Sequence, residues 1–259
     1  MGPQQSENPV SQKQWGSEDL AGNPHEVADK ARRVRSMFAA IAGSYDLNNR
    51  LHSMWRDQAW RKRAVKLCGV RPTDEVLDVA CGTGDLSLAF ADAHPRRVVG
   101  IDFTHEMLLI ARLKKDRRGG ATPVGFGDGD AMRLPVPDRV FDVVSIAFGI
   151  RNVGDPFAAV REFHRVLRAG GRLCILEFSV PQNTILRALY MFYFRRIMPC
   201  TATLISGDRS GAYKYLPRSV NTFLSREQMV RMMEGAGFRD VIQHPLTFGV
   251  AVAYIGRKG

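Results

Sequence analysis

The chain has 259 residues, 45% of them apolar, and a formal charge of +11. That length suits one large α/β domain with extensions, and the apolar share suits a sizeable buried core. No apolar run is long enough to span a bilayer, no basic segment leads into an apolar run at the N-terminus, and Cys68, Cys81, Cys174 and Cys200 form no C-x-x-C pair, which argues against a structural zinc site or a disulfide framework and fits a reducing cytosol.

Residues 1–26 are rich in Gln, Ser, Gly, Asn and Pro without periodicity and are expected to be a disordered tail. From Val27 the pattern turns helical, with apolar residues 34, 37, 38 and 41 on one face; Gly43 and Ser44 should stop that helix, and a second should run from about Asn48 to Leu67. Together they make an N-terminal helical extension over 27–68. The stretch from Asp29 to Lys66 holds ten Lys/Arg against three Asp, a local charge of +7, and Arg112–Arg118 adds a second basic knot of +4. Such patches favour anionic lipid or nucleic acid, or are simply a solvated face.

The middle of the chain alternates strands (75–80, 97–102, 123–127, 141–147, 171–178) with helices (85–93, 104–116, 155–168), the pattern of a doubly wound parallel sheet. Asp155-Pro156 is a strong helix start. Beyond lie an apolar helix at 185–198, a polar loop at 206–221, a helix from Ser225, and two closing strands near 238–244 and 248–256.

The most informative stretch is Val76 to Gly84, V-L-D-V-A-C-G-T-G. An apolar strand carrying Asp78 breaks into a turn with Gly82, Thr83 and Gly84, and a second strand ends in Asp102. This is the layout of a nucleoside site at the carboxyl edge of a parallel sheet, the second acid placed to accept from two ribose hydroxyls. Asp78 can equally be a satisfied structural acid. Asp85, Leu86 and Ser87 follow Gly84, so the third glycine of a dinucleotide fingerprint is missing, and an acid directly after the turn would repel a phosphate. What remains resembles the first motif of class I S-adenosylmethionine-dependent methyltransferases, a Rossmann-like doubly wound sheet with one closing antiparallel strand, which the two final strands suit. Cys81, inside the turn, is best explained as a small buried side chain.

Asp130-Ala131, Ala147 to Asn152 and Glu177 to Ser179 follow the third, fourth and fifth strands, where such a sheet puts its ligand crevice. In class I methyltransferases the first of these flanks adenine; Asp130 can also be a loop acid capping a turn.

Phe148-Gly-Ile-Arg-Asn-Val153, Tyr45-Asp-Leu-Asn-Asn49, Trp60, the run Arg165 to Ser179, Ala212 to Val220 and Gly249-Val-Ala251 occur in order. With them the chain, from about residue 27 to its end, closely resembles the quinone C-methyltransferases of menaquinone and ubiquinone biosynthesis. It departs from them at Asn48 (usually Met), His52 (usually Leu or similar), Asp57 (usually His or Gln), Arg168-Ala169 (usually Lys-Pro) and Ala147 (often a small hydroxyl residue).

The resemblance implies methyl transfer from S-adenosylmethionine to a ring carbon of a prenylated hydroquinone. The naphthoquinol reaction, demethylmenaquinol to menaquinol, is the expected one, and the ubiquinone-pathway benzoquinol reaction is the alternative. It places the cofactor on Asp78, Gly82, Thr83, Gly84, Asp102, Asp130, Ala131 and Ala147. Arg151 and Asn152 are the candidates for holding a phenolate or orienting a water, with Tyr45 and Asp46 closing the pocket from the N-terminal side. The alternative for Tyr45 is packing, and for Asp46 helix capping. The segment 185–220 is expected as a lid and greasy wall for the isoprenoid tail, with Arg195 and Arg196 near lipid headgroups. A cytoplasmic protein touching the inner face of the membrane follows, with a homo-oligomer or a quinone-synthesis complex as further partners and no nucleic acid. Two other readings stay open: an RNA methyltransferase, prompted by charge although no N-P-P-[YF] motif follows the fourth strand, and a non-catalytic cofactor-binding scaffold.

Overall fold

A computed structural model describes Trp15, Asp19, residues 22–207 and residues 210–259. Among these, seven strands form one sheet: β1 (Glu75–Val79), β2 (Arg97–Asp102), β3 (Val124–Asp128), β4 (Phe141–Ala147), β5 (Leu167–Phe178), β6 (Phe238–Leu246) and β7 (Ala251–Lys258). Their order is β3-β2-β1-β4-β5-β7-β6, with the first five parallel and β7 antiparallel to both β5 and β6. The order reverses at β1, so the carboxyl ends of β1, β2 and β4 open a crevice at the switch point.

Strand β1 is buried on both faces because side chains alternate across the sheet. Leu77 and Val79 join one core with Ala159, Phe163, Met229 and Met233, from helices α5 (Pro156–Val166) and α9 (Arg226–Gly235). Val76 joins the opposite core with Trp60, Ala64, Leu86 and Phe90, from helices α2 (Arg56–Cys68) and α3 (Asp85–Ala91). Asp78 shares the parity of Val76, and its only way to be buried there is to be hydrogen-bonded. The expected start of α5 holds, with Asp155 accepting from Phe157 N and Ala158 N ahead of Pro156. Ser225 and Gln228 form a capping box on α9.

Over the crevice lie helix α1 (Lys30–Ser53) and the described parts of 184–222, while helix α4 (His105–Arg118) packs between α1 and strands β2 and β3. Here the structure departs from sequence-based expectation. Helix α1 continues through Gly43 and Ser44, where a stop was expected; the break comes at Met54 and Trp55, both left-handed at φ 51° and 59°. A single glycine costs a helix only about 1 kcal/mol, and Val34, Met37 and Ile41 bury the helix against the cap. Helix α6 (Thr184–Phe192), a π-helical turn at Tyr193–Ile197 and helix α7 (Met198–Ser206) extend the expected 185–198 helix. The expected polar loop at 206–221 largely contains helix α8 (Ala212–Thr222), which buries Tyr213, Tyr215 and Val220 despite Pro217. Most of the expected disordered tail lies outside the described residues, but Trp15 is buried and stacks on Tyr215 at 4.5 Å between ring centroids.

Candidate active site

Two cavities meet above the switch point. The first spans about 690 Å³, part of it open to solvent, and is walled by Gly82, Asp102, Phe103, Gly129, Ala131 and Ala147, among others. The second spans about 950 Å³, part of it open to solvent, and is walled largely by aromatic and aliphatic side chains from α1, α6, the π-helical turn and α8. Phe38, Tyr45 and Phe148 line both. The backbone is bent hard at this junction. Ala80 and Phe148, at the ends of β1 and β4, are left-handed at φ 50° and 57°, which costs a non-glycine residue about 1–2 kcal/mol. A Cβ on Gly149 would meet the Ala80 Cβ at 2.8 Å, so glycine lets the two strand ends touch.

In the first cavity, Asp102 Oδ2 accepts from Gly82 N and Oδ1 from Thr104 N, both at 2.8 Å. Burial raises its pKa against those bonds. Each carboxylate oxygen keeps acceptor capacity, so the site can take two hydroxyls. Gly82, at φ 54°, has nothing within 4 Å of where a Cβ would stand. No Lys, Arg or His is among the described residues lining this cavity, so it offers a diphosphate no side-chain cation. Ala131 and Ala147 line the same wall.

Other expected cofactor residues lie elsewhere. Asp78 is 1% exposed and accepts from Ser87 Oγ (2.6 Å) and Ser145 Oγ (2.8 Å). Burial pushes its pKa up to about 6. It borders a small recess of about 310 Å³ beneath the glycine turn rather than the first cavity. Asp130 Oδ1 accepts from Met132 N at 2.9 Å, closing a turn, and the side chain is exposed. Gly84 faces packing: a Cβ there would meet Phe126 at 2.9 Å and Ala111 at 3.0 Å. The Thr83 hydroxyl donates to Asp46 Oδ1 at 2.6 Å. Asp46 also pairs with Lys114 at 2.8 Å, and Lys114 pairs with Asp85. Asp46 is therefore neither a helix cap nor a wall of either cavity; it ties α1 to the glycine turn and α4. Burial lifts the Cys81 thiol well above its ordinary pKa, as suits a packed side chain.

Of the Arg-Asn loop, Arg151 reaches the second cavity. Arg151 is 4% exposed, lines the wall, and donates through Nη1 to Glu177 Oε1 and Phe148 O, both at 2.7 Å. Its guanidinium carbon is 5.4 Å from the Phe178 ring centroid. Its Nε is buried without a hydrogen-bond partner, as are Tyr190 Oη and Asn48 Oδ1, and all three residues line this cavity. Asn152 borders the first cavity instead and accepts from Tyr215 Oη at 3.0 Å. Tyr45 borders both, its pKa raised by burial. Phe148 and Phe178 approach to 4.4 Å between centroids, with Trp60 6.1 Å from each. The sequence placed Glu177 and Phe178 at the ligand crevice and Tyr190 in the apolar 185–198 helix without giving any of them an individual role, although an acid closing the apolar run Leu173–Leu176 was a visible signal. His52 and Asp57, two departures from the family pattern, both line this cavity.

A profile of the ubiE/COQ5 methyltransferase family matches residues 26–258. The chain belongs to the ubiE/COQ5 methyltransferase family. It is 47% identical over 223 residues, 86% of this chain and all of the relative, to a demethylmenaquinone methyltransferase of Thermus thermophilus. It is 44% identical over 237 residues, 90% of this chain and all of the relative, to a ubiquinone/menaquinone biosynthesis C-methyltransferase of Geobacter sp. strain M21. A crystal structure of an S-adenosylmethionine-dependent methyltransferase from Thermotoga maritima superposes with a TM-score of 0.60 at 20% identity, covering 87% of this chain and all of that one, which fixes the fold. The chain is thus a class I S-adenosylmethionine-dependent methyltransferase. The first cavity fits that cofactor: a buried carboxylate for ribose, an open glycine turn, and no side-chain cation in its wall.

Proposed function

We propose that this enzyme methylates a ring carbon of a prenylated hydroquinone, and that its acceptor is a naphthoquinol, demethylmenaquinol going to menaquinol. The observation that carries this is the junction of the two cavities at Tyr45 and Phe148, with Arg151 in the wall of the aromatic one. The two relatives named above for menaquinone chemistry support it.

Asp102, Gly82, Ala131 and Ala147 hold S-adenosylmethionine, which when bound supplies a methyl group on a positively charged sulfur. The protein's task is then alignment and charge placement. Phe148 and Phe178, packed on each other with Trp60 against both, form an aromatic wall for a flat ring beside the shared lining. An aromatic carbon becomes a strong nucleophile when a ring hydroxyl loses its proton, so the site must stabilise a phenolate. A guanidinium does not serve as a base; Arg151 instead presents its unpartnered Nε to the ring oxygen while Glu177 fixes its orientation. The Tyr190 hydroxyl and Asn48 Oδ1 supply a further donor and an acceptor. The cap of α1 and α6–α8 excludes water, which strengthens each of these interactions.

The isoprenoid tail leaves along α6. Ile185, Leu189 and Phe192 are 73%, 64% and 63% exposed there, with Arg187, Arg195 and Arg196 alongside. No helix among the described residues is long and apolar enough to cross a membrane; this face rests on the lipid surface, arginines toward anionic headgroups. The test is turnover of short-chain naphthoquinol and benzoquinol acceptors under reducing conditions, with the quinone that accumulates in cells lacking the protein. Methylation of the naphthoquinol, and accumulation of its demethylated form, is expected. No product from folded, cofactor-binding protein refutes the proposal.

A further inference from the structure

Trp15 lies ahead of residues 26–258, which the family profile matches, yet it is 4% exposed. It packs in one apolar cluster with Val34, Met37 and Ile41 of α1 and with Phe194, Met198 and Ala202 of the cap. Its amide donates to Ser210 O at 3.2 Å. Gly211, at φ 82°, leads into α8 beside it, and a Cβ there would meet Trp15 O at 2.8 Å. Glycine at that position lets the turn into α8 take the Trp15 backbone at close range. From α1, the Arg33 guanidinium carbon lies 5.7 Å from the Trp15 ring centroid, and Arg33 pairs with Asp19 at 2.7 Å.

The indole stacks on Tyr215, with 4.5 Å between centroids and 28° between planes. Tyr215 is among the residues walling the acceptor cavity, and Trp15 stands behind it. The Tyr215 hydroxyl donates to Asn152 Oδ1 at 3.0 Å, and Asn152 Nδ2 donates to Phe148 O at 3.3 Å, in the wall the two cavities share. Burial pushes the Tyr215 phenol up to about 12, so the hydroxyl stays a donor. A hydrogen bond at its tip fixes where Tyr215 ends but leaves the ring plane free to turn; the stacked indole fixes the plane.

We propose that Trp15 is a positioning residue for the acceptor: its indole holds the Tyr215 ring as a fixed wall of the acceptor cavity, from a position ahead of the family-matched residues. This rests on the quinol reading of that cavity. A wall that meets the acceptor before and during the reaction contributes uniform binding, so its loss shows in KM rather than kcat.

Two variants of the full chain separate this role from plain burial. Trp15→Leu keeps a buried apolar side chain without a flat face, and Trp15→Phe keeps a ring to stack. With a reduced short-chain demethylmenaquinol, Trp15→Leu should raise KM about threefold to tenfold, the worth of an aromatic pair, with kcat and S-adenosylhomocysteine affinity within about twofold of the unmodified protein. Trp15→Phe should recover most of the loss. In a Tyr215→Leu background, Trp15→Leu should raise KM no further, because the indole acts through that ring. An unchanged KM in Trp15→Leu, an equal rise in Trp15→Phe, a further rise in the Tyr215→Leu background, or a matching fall in S-adenosylhomocysteine affinity overturns the assignment. Amide hydrogen exchange over residues 212–222 reads the same clamp without turnover: it should quicken in Trp15→Leu and not in Trp15→Phe, and equal exchange in both overturns the clamp. An unmodified protein that binds S-adenosylhomocysteine but leaves the quinol unmethylated overturns the acceptor reading instead.

Discussion

Removing Glu177 should unfold this enzyme more readily than any surface change. Its side chain is 2% exposed and that of Arg151 5%, and they meet at 2.7 Å. Glu177 also accepts from Phe178 N at 2.8 Å and Arg151 N at 3.4 Å. Glu177→Ala leaves a guanidinium buried without its counter-charge and frees two backbone donors. Breaking a buried pair in this way costs about 3–5 kcal/mol. Replacing both partners by apolar residues of similar volume, Arg151→Met with Glu177→Leu, should recover most of that loss, because the desolvation penalty leaves with the charges. Urea denaturation of the unmodified protein, Arg151→Met, Glu177→Leu and the double variant gives the coupling energy directly. The double variant should be folded, should bind S-adenosylhomocysteine, and should be inactive. Single variants that lose less than about 1 kcal/mol, or a double variant that loses the sum of the singles, would refute the reasoning that this pair is a buried unit.

Three further outcomes are expected. Arg151→Lys keeps the charge but loses the planar donor set, so turnover should fall about 100-fold while S-adenosylhomocysteine affinity stays the same; a matching loss of affinity would place Arg151 at the cofactor. His25, whose Nε2 lies 2.9 Å from Ser219 O with Lys30 and Arg151 nearby, is pushed down to about 4, chiefly by burial. The unfolded chain then binds a proton between pH 6.5 and 4 that the folded protein refuses, so stability falls as pH drops through that window. Asp78, raised to about 6, acts in the opposite sense, so the comparison is with His25→Phe, which keeps Asp78 and should show a flatter profile; identical profiles would remove His25 from the account. Leu189→Glu/Phe192→Glu should abolish flotation with anionic vesicles and raise KM for a long-chain quinol but not a short-chain one; unchanged flotation would refute the lipid-facing role of α6.

What could be read ahead of the structure was local. The glycine turn, Asp102 and the Arg-Asn loop each announce themselves within a few residues, because strand ends, positive-φ turns and helix caps are written in adjacent positions. What could not be read was nonlocal. Asp46 looked like a pocket residue beside Tyr45, but its partners are Thr83 and Lys114, 37 and 68 positions away. Gly43-Ser44 looked like a helix stop; burial of Val34, Met37 and Ile41 against the cap outweighs the glycine's propensity. Helix α8 read as a loop because Pro217 breaks the local pattern, while Tyr213 and Tyr215 are buried by tertiary packing. Glu177 was in view as an acid within an apolar run, and only its contact with Arg151 shows what it does.

The most direct test supplies S-adenosylmethionine carrying a 13C-labelled methyl group with a reduced short-chain demethylmenaquinol and locates the label by NMR. A methyl on the ring carbon is predicted, formed about 100-fold more slowly by Arg151→Lys and at the unmodified rate by Leu189→Glu/Phe192→Glu. Label on a ring oxygen, or a labelled cofactor left intact beside bound quinol, would contradict the joined-cavity account.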